Sequence, residues 1–326
     1  MIRARIIGTG SYVPKKVLTN HDLEKMVDTS DAWIMERTGI KERRIVDKGQ
    51  CTSDLAFEAG RKALKAAGLG AEDLDLIIVA TTTPDMVMPN TGCMLQEKLG
   101  AKKAAAFDVY AACSGFIYGL SIANAFIKSE TYTNILLVGA EVLSRFTDWE
   151  DRATCVIFGD GAGAVVLQRH AGKRGVLSTH LHSDGTLGEL LKVPGGGALH
   201  PPTHDTVEKR MHYIRMKGNE TFKVAVRALE DVVQEALEHN KVKPEEIDWL
   251  VPHQANLRII QAMAQRLKMP MERVVVTIHK YGNTSAATIP MALDEAVRDG
   301  RIRENQLLLF EAFGGGLTWA SALVRW

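Results

Sequence analysis

The chain predicts an α/β protein made of two related halves, and three observations carry that reading. Continuous apolar runs such as LIIVA (76–80) and ILLVGA (135–140) are the signature of strands buried on both faces, as in largely parallel sheets. They alternate with amphipathic helical stretches such as 53–67, whose Leu55, Ala56, Ala59, Ala63 and Leu64 fall on one face. Finally, AEDLDLIIVATTTP (71–84) resembles PEEIDWLVPHQA (244–255), and CVIFGDGAGAVVL resembles LFEAFGGGLTWASALV, at offsets of roughly 155 to 173 residues. The halves are expected at 1–171 and 172–326, packed about a pseudo-twofold axis so that helix-starting residues of both meet near one centre.

Bulk properties narrow the function classes. The 326 residues carry 40 Lys and Arg against 39 Asp and Glu, a net charge of +1, so nothing marks a nucleic-acid or membrane binder. No apolar run approaches the length of a membrane span. The four cysteines (Cys51, Cys93, Cys113, Cys155) form no CxxC pair, and the chain opens directly into a strand pattern instead of a secretory signal. A cytoplasmic location with reduced thiols is expected.

The elements follow in order. A strand over 4–8 is closed by turn residues in GTGSYVP, and Asn20 caps HDLEKMV. Ser30 caps DAWIMERT, which Gly39 ends and which carries Trp33 and Arg37. Helix 53–67 stops at Gly68, strand 76–80 follows, Asn90 starts TGCMLQEKLG, and strand 104–109 leads to Cys113 and an apolar helix. NILLVGAE is another buried strand. SRFTDWEDRAT is an exposed connection holding Arg145 and Arg152, and 155–168 reads as two strand halves about a Gly-rich turn. That turn, FGDGAGA, lacks GxGxxG spacing and precedes a strand, so it is structural and binds no phosphate.

After a strand at 175–182, the Gly/Pro/His-rich stretch 193–213 reads as a long loop whose His200, His204 and His212 match no zinc spacing. Helix 219–239, a strand in PEEIDWLVPHQAN, helix NLRIIQAMAQRL, a short strand VVVTI and helix NTSAATIPMALDEAVRDG complete the second half. Two strands about GGG close it.

Cys113 stands where the strand FDV turns into a helix, with small Ala111, Ala112 and Gly115 around it. Unpaired N–H groups and the helix dipole there favour a thiolate, although a lone cysteine is more often a small apolar filler. His253 ends the strand that repeats 75–83, the strand end at which open α/β sheets place their sites. By spacing alone Asn283 is a helix cap and His253 a hydrogen-bonded core histidine. Together, a Cys that accepts an acyl group and two N–H donors for a second thioester carbonyl make a coherent chemistry. A papain-like hydrolase would use the same three residue types, but the duplicated α/β pattern argues against it.

GTGSYVP, DTSDAWIMERTGI, AACSGF, FGDGAG, VPHQANLRI, HKYGNTSAATIPMALDEAVRDG and EAFGGG, in this order across nearly the whole chain, resemble β-ketoacyl-acyl carrier protein synthase III. The resemblance implies a thiolase-like fold, two duplicated α/β halves in an α-β-α-β-α arrangement, and a homodimer. It implies decarboxylative condensation of acetyl-CoA or another short acyl-CoA with malonyl-acyl carrier protein, without metal or redox cofactor. Cys113 is then the acylated nucleophile, His253 and Asn283 activate the malonyl thioester, and the N–H groups of Cys113 and Gly315 form the oxyanion hole. Trp33 and Arg152 fall at positions that sandwich the CoA adenine, Arg37 at one that meets its phosphates, and Thr29, Gly218 and Asn256 at other CoA contacts. Gln254, Ala255, Asn256, Leu257 and Arg258 match the carrier-protein docking stretch, with Lys223 and Arg266 as further contacts.

Three departures modify the expectation. Met88 stands where the family often has Phe at the acyl-pocket wall given by the partner subunit, which leaves the primer open between acetyl and longer groups. Gln265 replaces a basic residue of the carrier-binding pair, and the cap within 194–212 reads as longer than usual. The alternatives are other enzymes of the same fold and a non-catalytic partner subunit. A thiolase needs a second cysteine near the C-terminus, and Cys155 is the last one here. A hydroxymethylglutaryl-CoA synthase needs a catalytic Glu, with Glu97 and Glu141 outside any matching motif. A polyketide starter enzyme is the third such alternative, and an inactive partner would usually lack the nucleophile.

Overall fold

The computed structural model describes residues 1–326. Nine strands make the two main sheets. In the first half they are β1 (Ile2–Tyr12), β2 (Leu76–Ala80), β3 (Ala105–Val109), β4 (Asn134–Val142) and β5 (Asp160–Ala171). In the second they are β6 (Gly175–Ser183), β7 (Trp249–Pro252), β8 (Leu307–Gly314) and β9 (Thr318–Arg325). The first sheet runs β1-β5-β4-β2-β3, with β2 parallel to β3 and β4 and the other pairs antiparallel. The second runs β6-β9-β8-β7 with the same alternation, and Val274 bridges Leu250 where a fifth strand would stand. The repeat read from the sequence is therefore a repeat of sheet order. The expected strand VVVTI is reduced to that one bridge.

Helices fill the spaces on either side. On the outer face of the first sheet lie α2 (Thr52–Ala67) and α3 (Thr91–Leu99), while α1 (Asp31–Thr38) packs beside the helix Leu257–Arg266 of the second half. Between the sheets lie α4 (Gly115–Lys128) and, from the second half, α7 (Thr288–Arg298); α5 (Gly218–Asn240) and α6 (Leu257–Arg266) cover the outer face of the second sheet. The result is the expected five layers. Phe116, Leu120 and Ile127 of α4 and Ile289 and Leu293 of α7 pack with Ile78 and Leu137 on one side and Val251 and Phe310 on the other. A helix covered by two sheets must be apolar nearly all round, which is why the stretch after Cys113 carries so few polar residues.

Two expected turns are strand. GTGSY continues β1, because Gly8 and Gly10 lie under α2: a Cβ would come within 2.3 Å of the Ala63 carbonyl oxygen and 2.4 Å of that of Ala59. FGDGAGA leads directly into the continuous strand β5, whose Gly163 lies under α7, where a Cβ would sit 2.5 Å from the Met291 nitrogen. Alternate glycines here clear one face of a strand for a helix backbone. Thr19, not Asn20, caps the first short helix, and the buried Asn20 side chain instead ties Asp31, the Ile40 carbonyl and Arg43 together. Ser30 and Gly39 do cap α1, the serine accepting from Trp33 N–H at 3.2 Å and the glycine lying at φ 77°. The supposedly exposed connection at 144–154 buries Ser144, Thr147 and Thr154. The 193–213 stretch folds against it: Thr203 caps a turn of helix (His204–Glu208), and Arg210 grips the Asp148 carboxylate. No helix is long and apolar enough to cross a membrane.

Candidate active site

A cavity of about 700 Å³ enters between α1, α5 and α6 and reaches Cys113, His253 and Asn283. The three side chains come from equivalent places in the two halves. Cys113 lies in a 3-10 turn (Ala112–Ser114) before α4, and Asn283 just ahead of the matching turn (Ser285–Ala287) before α7. The first residue of each turn, Ala112 at φ 45° and Ser285 at φ 48°, is left-handed, a strained conformation for a residue with a Cβ. His253 follows β7.

Each group is held by neighbours that leave one function free. Ser114 Oγ donates to the Thr318 carbonyl and Thr318 Oγ1 to the Ala111 carbonyl, both at 3.0 Å, stapling the nucleophile's turn to β9. Gly314 packs on Cys113 so closely that a Cβ would be 2.6 Å from its nitrogen; Gly315 follows, against Ala112 and Leu191. Asn283 Oδ1 accepts from Ser285 N–H at 2.8 Å, which leaves its Nδ2 donors uncommitted. His253 N–H donates to the Glu311 carbonyl at 2.8 Å, and its Nδ1 meets Thr288 Oγ1 at 2.7 Å, which fixes the ring and leaves Nε2 for the cavity.

Electrostatics depart from expectation at the cysteine. Cys113 is 7% exposed, and burial pushes its thiol up to about 12, against a smaller downward pull from the Ser285 hydroxyl and with a further push from Glu141. Burial thus opposes the thiolate that the helix start favours, and the thiol's proton leaves as the acyl group arrives. Burial also takes His253 down to about 3, so the imidazole is neutral at physiological pH. Glu141 lies outside the cavity, its carboxyl bound by Thr81, Thr82 and Thr83. Glu97 is on the outer helix α3.

At the mouth, Trp33, Arg37, Gly218, Lys223, Ala255, Asn256 and Arg258 line the cavity. The Arg152 guanidinium lies 5.1 Å from the Trp33 ring centre and donates to the Asp28 carbonyl at 3.0 Å, so it occupies the slot a flat group would enter between them. Thr29 does not line the cavity, and its buried hydroxyl has no partner. Asn256 caps α6 through Arg258 N–H and ties that helix to the Arg37 carbonyl at 2.9 Å. One expected contact is corrected. Gln254 is buried, with Nε2 donating to the Pro252 and Val275 carbonyls and Oε1 accepting from Thr277 and Ile278, so its side chain is scaffold and not a docking surface. Leu257 packs under Gly39, and Arg266 faces outward, paired with Glu230 at 3.0 Å. Met88 is 84% exposed and outside its own chain's cavity. Sequence reasoning missed Phe158, Leu191, Phe222, Phe313 and Glu311, all lining residues. Phe158, Glu311 and Phe313 stood in quoted motifs; Leu191 and Phe222 did not.

Comparison with known proteins agrees with this arrangement. A profile described as 3-oxoacyl-[acyl-carrier-protein (ACP)] synthase III matches residues 107–185, and one described as its C-terminal part matches 237–326. The chain is 59% identical to the β-ketoacyl-[acyl-carrier-protein] synthase III of Alkalilimnicola ehrlichii over 327 aligned positions, covering 100% of both. It is 55% identical to that of Caldanaerobacter subterraneus, covering 100% of this chain and 98% of the other. The crystal structure of 3-oxoacyl-[acyl-carrier-protein] synthase III from Aquifex aeolicus superposes with a TM-score of 0.93 at 53% identity, covering 99% and 100% of the two chains. The priming β-ketosynthase of the R1128 polyketide pathway matches at 33% identity and TM-score 0.91, covering 99% and 96%.

Proposed function

The chain belongs to the 3-oxoacyl-[acyl-carrier-protein] synthase III family, and from that membership we infer how its own residues divide the reaction. The enzyme condenses a short acyl group, delivered as acyl-CoA, with malonyl-acyl carrier protein and so initiates fatty acid synthesis. The observation that carries the division of labour is the convergence of Cys113, His253 and Asn283 on one cavity, with the basic and aromatic residues at its mouth.

Acyl-CoA lies with its nucleotide against Trp33, Arg37 and a displaced Arg152, and its thioester reaches Cys113. The sulfur attacks the carbonyl carbon, the N–H groups of Cys113 and Gly315 hold the oxyanion, and CoA leaves with the proton that Cys113 gives up. Malonyl-acyl carrier protein then docks near Lys223 and Arg258 and places its thioester carbonyl on Asn283 Nδ2 and on the Nε2–H of His253, in the tautomer whose Nδ1 accepts from a Thr288 hydroxyl turned away from the Ser285 carbonyl. The C–C bond to the carboxylate breaks, CO2 departs, and the electron pair forms an enolate that these two groups stabilise. The enolate carbon attacks acyl-Cys113, the C–S bond breaks, and the released thiolate takes up a proton. Loss of CO2 drives the condensation, so the steps as written call for neither metal nor redox cofactor.

The remaining readings are of assembly and place. Met86, Val87 and Met88 are exposed, and β3 is an open edge of the first sheet, which together suit a homodimer that carries Met88 to its partner's acyl pocket. Residues 1–171 and 172–326 act as two fold halves within one molecule, and the enzyme works in the cytoplasm. The deciding experiment is intact-mass measurement after incubation with acetyl-CoA, followed by malonyl-carrier protein. An acetyl adduct on Cys113 that disappears with formation of β-ketoacyl carrier is expected; an adduct on another residue overturns the assignment.

A further inference from the structure

One carboxyl beside the reacting groups has no task in the steps above. Glu311 is on β8, opposite Pro252 in the parallel pair with β7, and its carbonyl holds the His253 N–H. Its side chain is 1% exposed and lines the cavity together with Cys113, His253, Asn283 and the apolar Leu229 and Phe313. Neither carboxyl oxygen has a hydrogen-bond partner. Buried acids are ordinarily paired or bonded, and an apolar residue would fill this place without the desolvation penalty.

No charged side chain offsets the burial, which pushes this carboxyl up to about 8. Near neutral pH it is therefore a carboxylic acid, with one O–H donor committed to nothing. An acceptor must come with a substrate. The acyl carbonyl is taken by the N–H groups near Cys113, and the malonyl thioester carbonyl by His253 and Asn283. Among the reacting groups, the one acceptor left without a donor is the malonyl carboxylate. An acid donor suits it, because a hydrogen bond to a charged acceptor is among the stronger kinds. A lysine here would instead oppose loss of the charge as CO2 forms.

We propose that Glu311 is a specificity-determining residue for the second substrate, its uncharged carboxyl donating a hydrogen bond to the malonyl carboxylate until that group leaves as CO2. The inference rests on the reaction scheme above. The other titratable groups on the cavity are Cys113 and His253 at its inner end and Arg37, Lys223 and Arg258 at its mouth, with Glu141 beneath the Cys113 turn. Ionised Glu311 would repel the carboxylate it otherwise holds, so malonyl binding weakens as pH rises through about 8.

The test compares the full-length protein with Glu311→Gln, which keeps a neutral donor, and Glu311→Leu, which removes it. Acetylation of Cys113 by acetyl-CoA, followed by mass, reports on the reaction scheme itself; its failure in the unsubstituted protein would overturn that scheme and not the role of Glu311. For the proposal, Leu should raise KM for malonyl-carrier protein about tenfold or more, with a smaller change in kcat. Gln should stay near the unsubstituted KM at pH 7 and lose the rise in KM above pH 8. An unchanged KM in Leu overturns the proposal. Should Leu fail to fold, identical KM–pH profiles for Gln and the unsubstituted protein do the same.

Discussion

Cys113 is held as a thiol by burial, up to about 12, although a helix begins two residues later. Its reactivity is therefore coupled to the arriving thioester. Cys113→Ala is expected to give no acyl adduct by mass spectrometry while still releasing CO2 slowly from malonyl-carrier protein, since His253 and Asn283 remain. The buried His253 makes a second prediction. Its folded pKa of about 3 lies below the ordinary 6.5, so the unfolded chain binds the extra proton first and stability falls as pH drops from 6.5 toward 3. His253→Asn should flatten that loss by an amount on the order of a few kcal/mol, read from thermal melts at pH 7 and pH 4. The site was legible through the ordered set of motifs taken together, since by local spacing alone Asn283 reads as a helix cap and His253 as a core histidine. Gln254 was not, because nothing local distinguishes an amide that bonds four backbone groups from one that faces a partner.

Glycine was the residue most easily misread at the scale of elements. Ser30 and Gly39 announced α1 correctly because caps are local chemistry. Gly8, Gly10 and Gly163 looked like turns because their purpose is a helix backbone far away in sequence. Gly139 belongs with them: a Cβ there would lie 2.2 Å from the Ala286 carbonyl oxygen, in the turn that positions Asn283 and Ser285. Gly139→Ala is expected to destabilise by about 1–3 kcal/mol or more and to depress condensation beyond what the melting shift explains. Gly185→Ala, where an added Cβ meets nothing within 4 Å, is the control expected to change neither. Denaturant midpoints and specific activity check the pair.

For the whole molecule, the five-layer order follows from two copies of one sheet sharing their central helices; the internal repeat made the two halves readable in the sequence, and the layer order came with the family resemblance. The assembly was less readable, because an open edge and an exposed apolar loop are evident only once the strands are in place. Val87, in that loop, is 93% exposed. Val87→Glu should shift the protein to monomers in sedimentation experiments and lower condensation activity. The cavity itself imposes a kinetic order. Acyl-CoA and malonyl-carrier protein thread their arms through the same passage to Cys113, so the first must vacate it before the second enters. Initial rates should therefore give parallel double-reciprocal lines, free CoA should compete with the malonyl substrate, and each thioester in excess should become a dead-end inhibitor of the other's half-reaction.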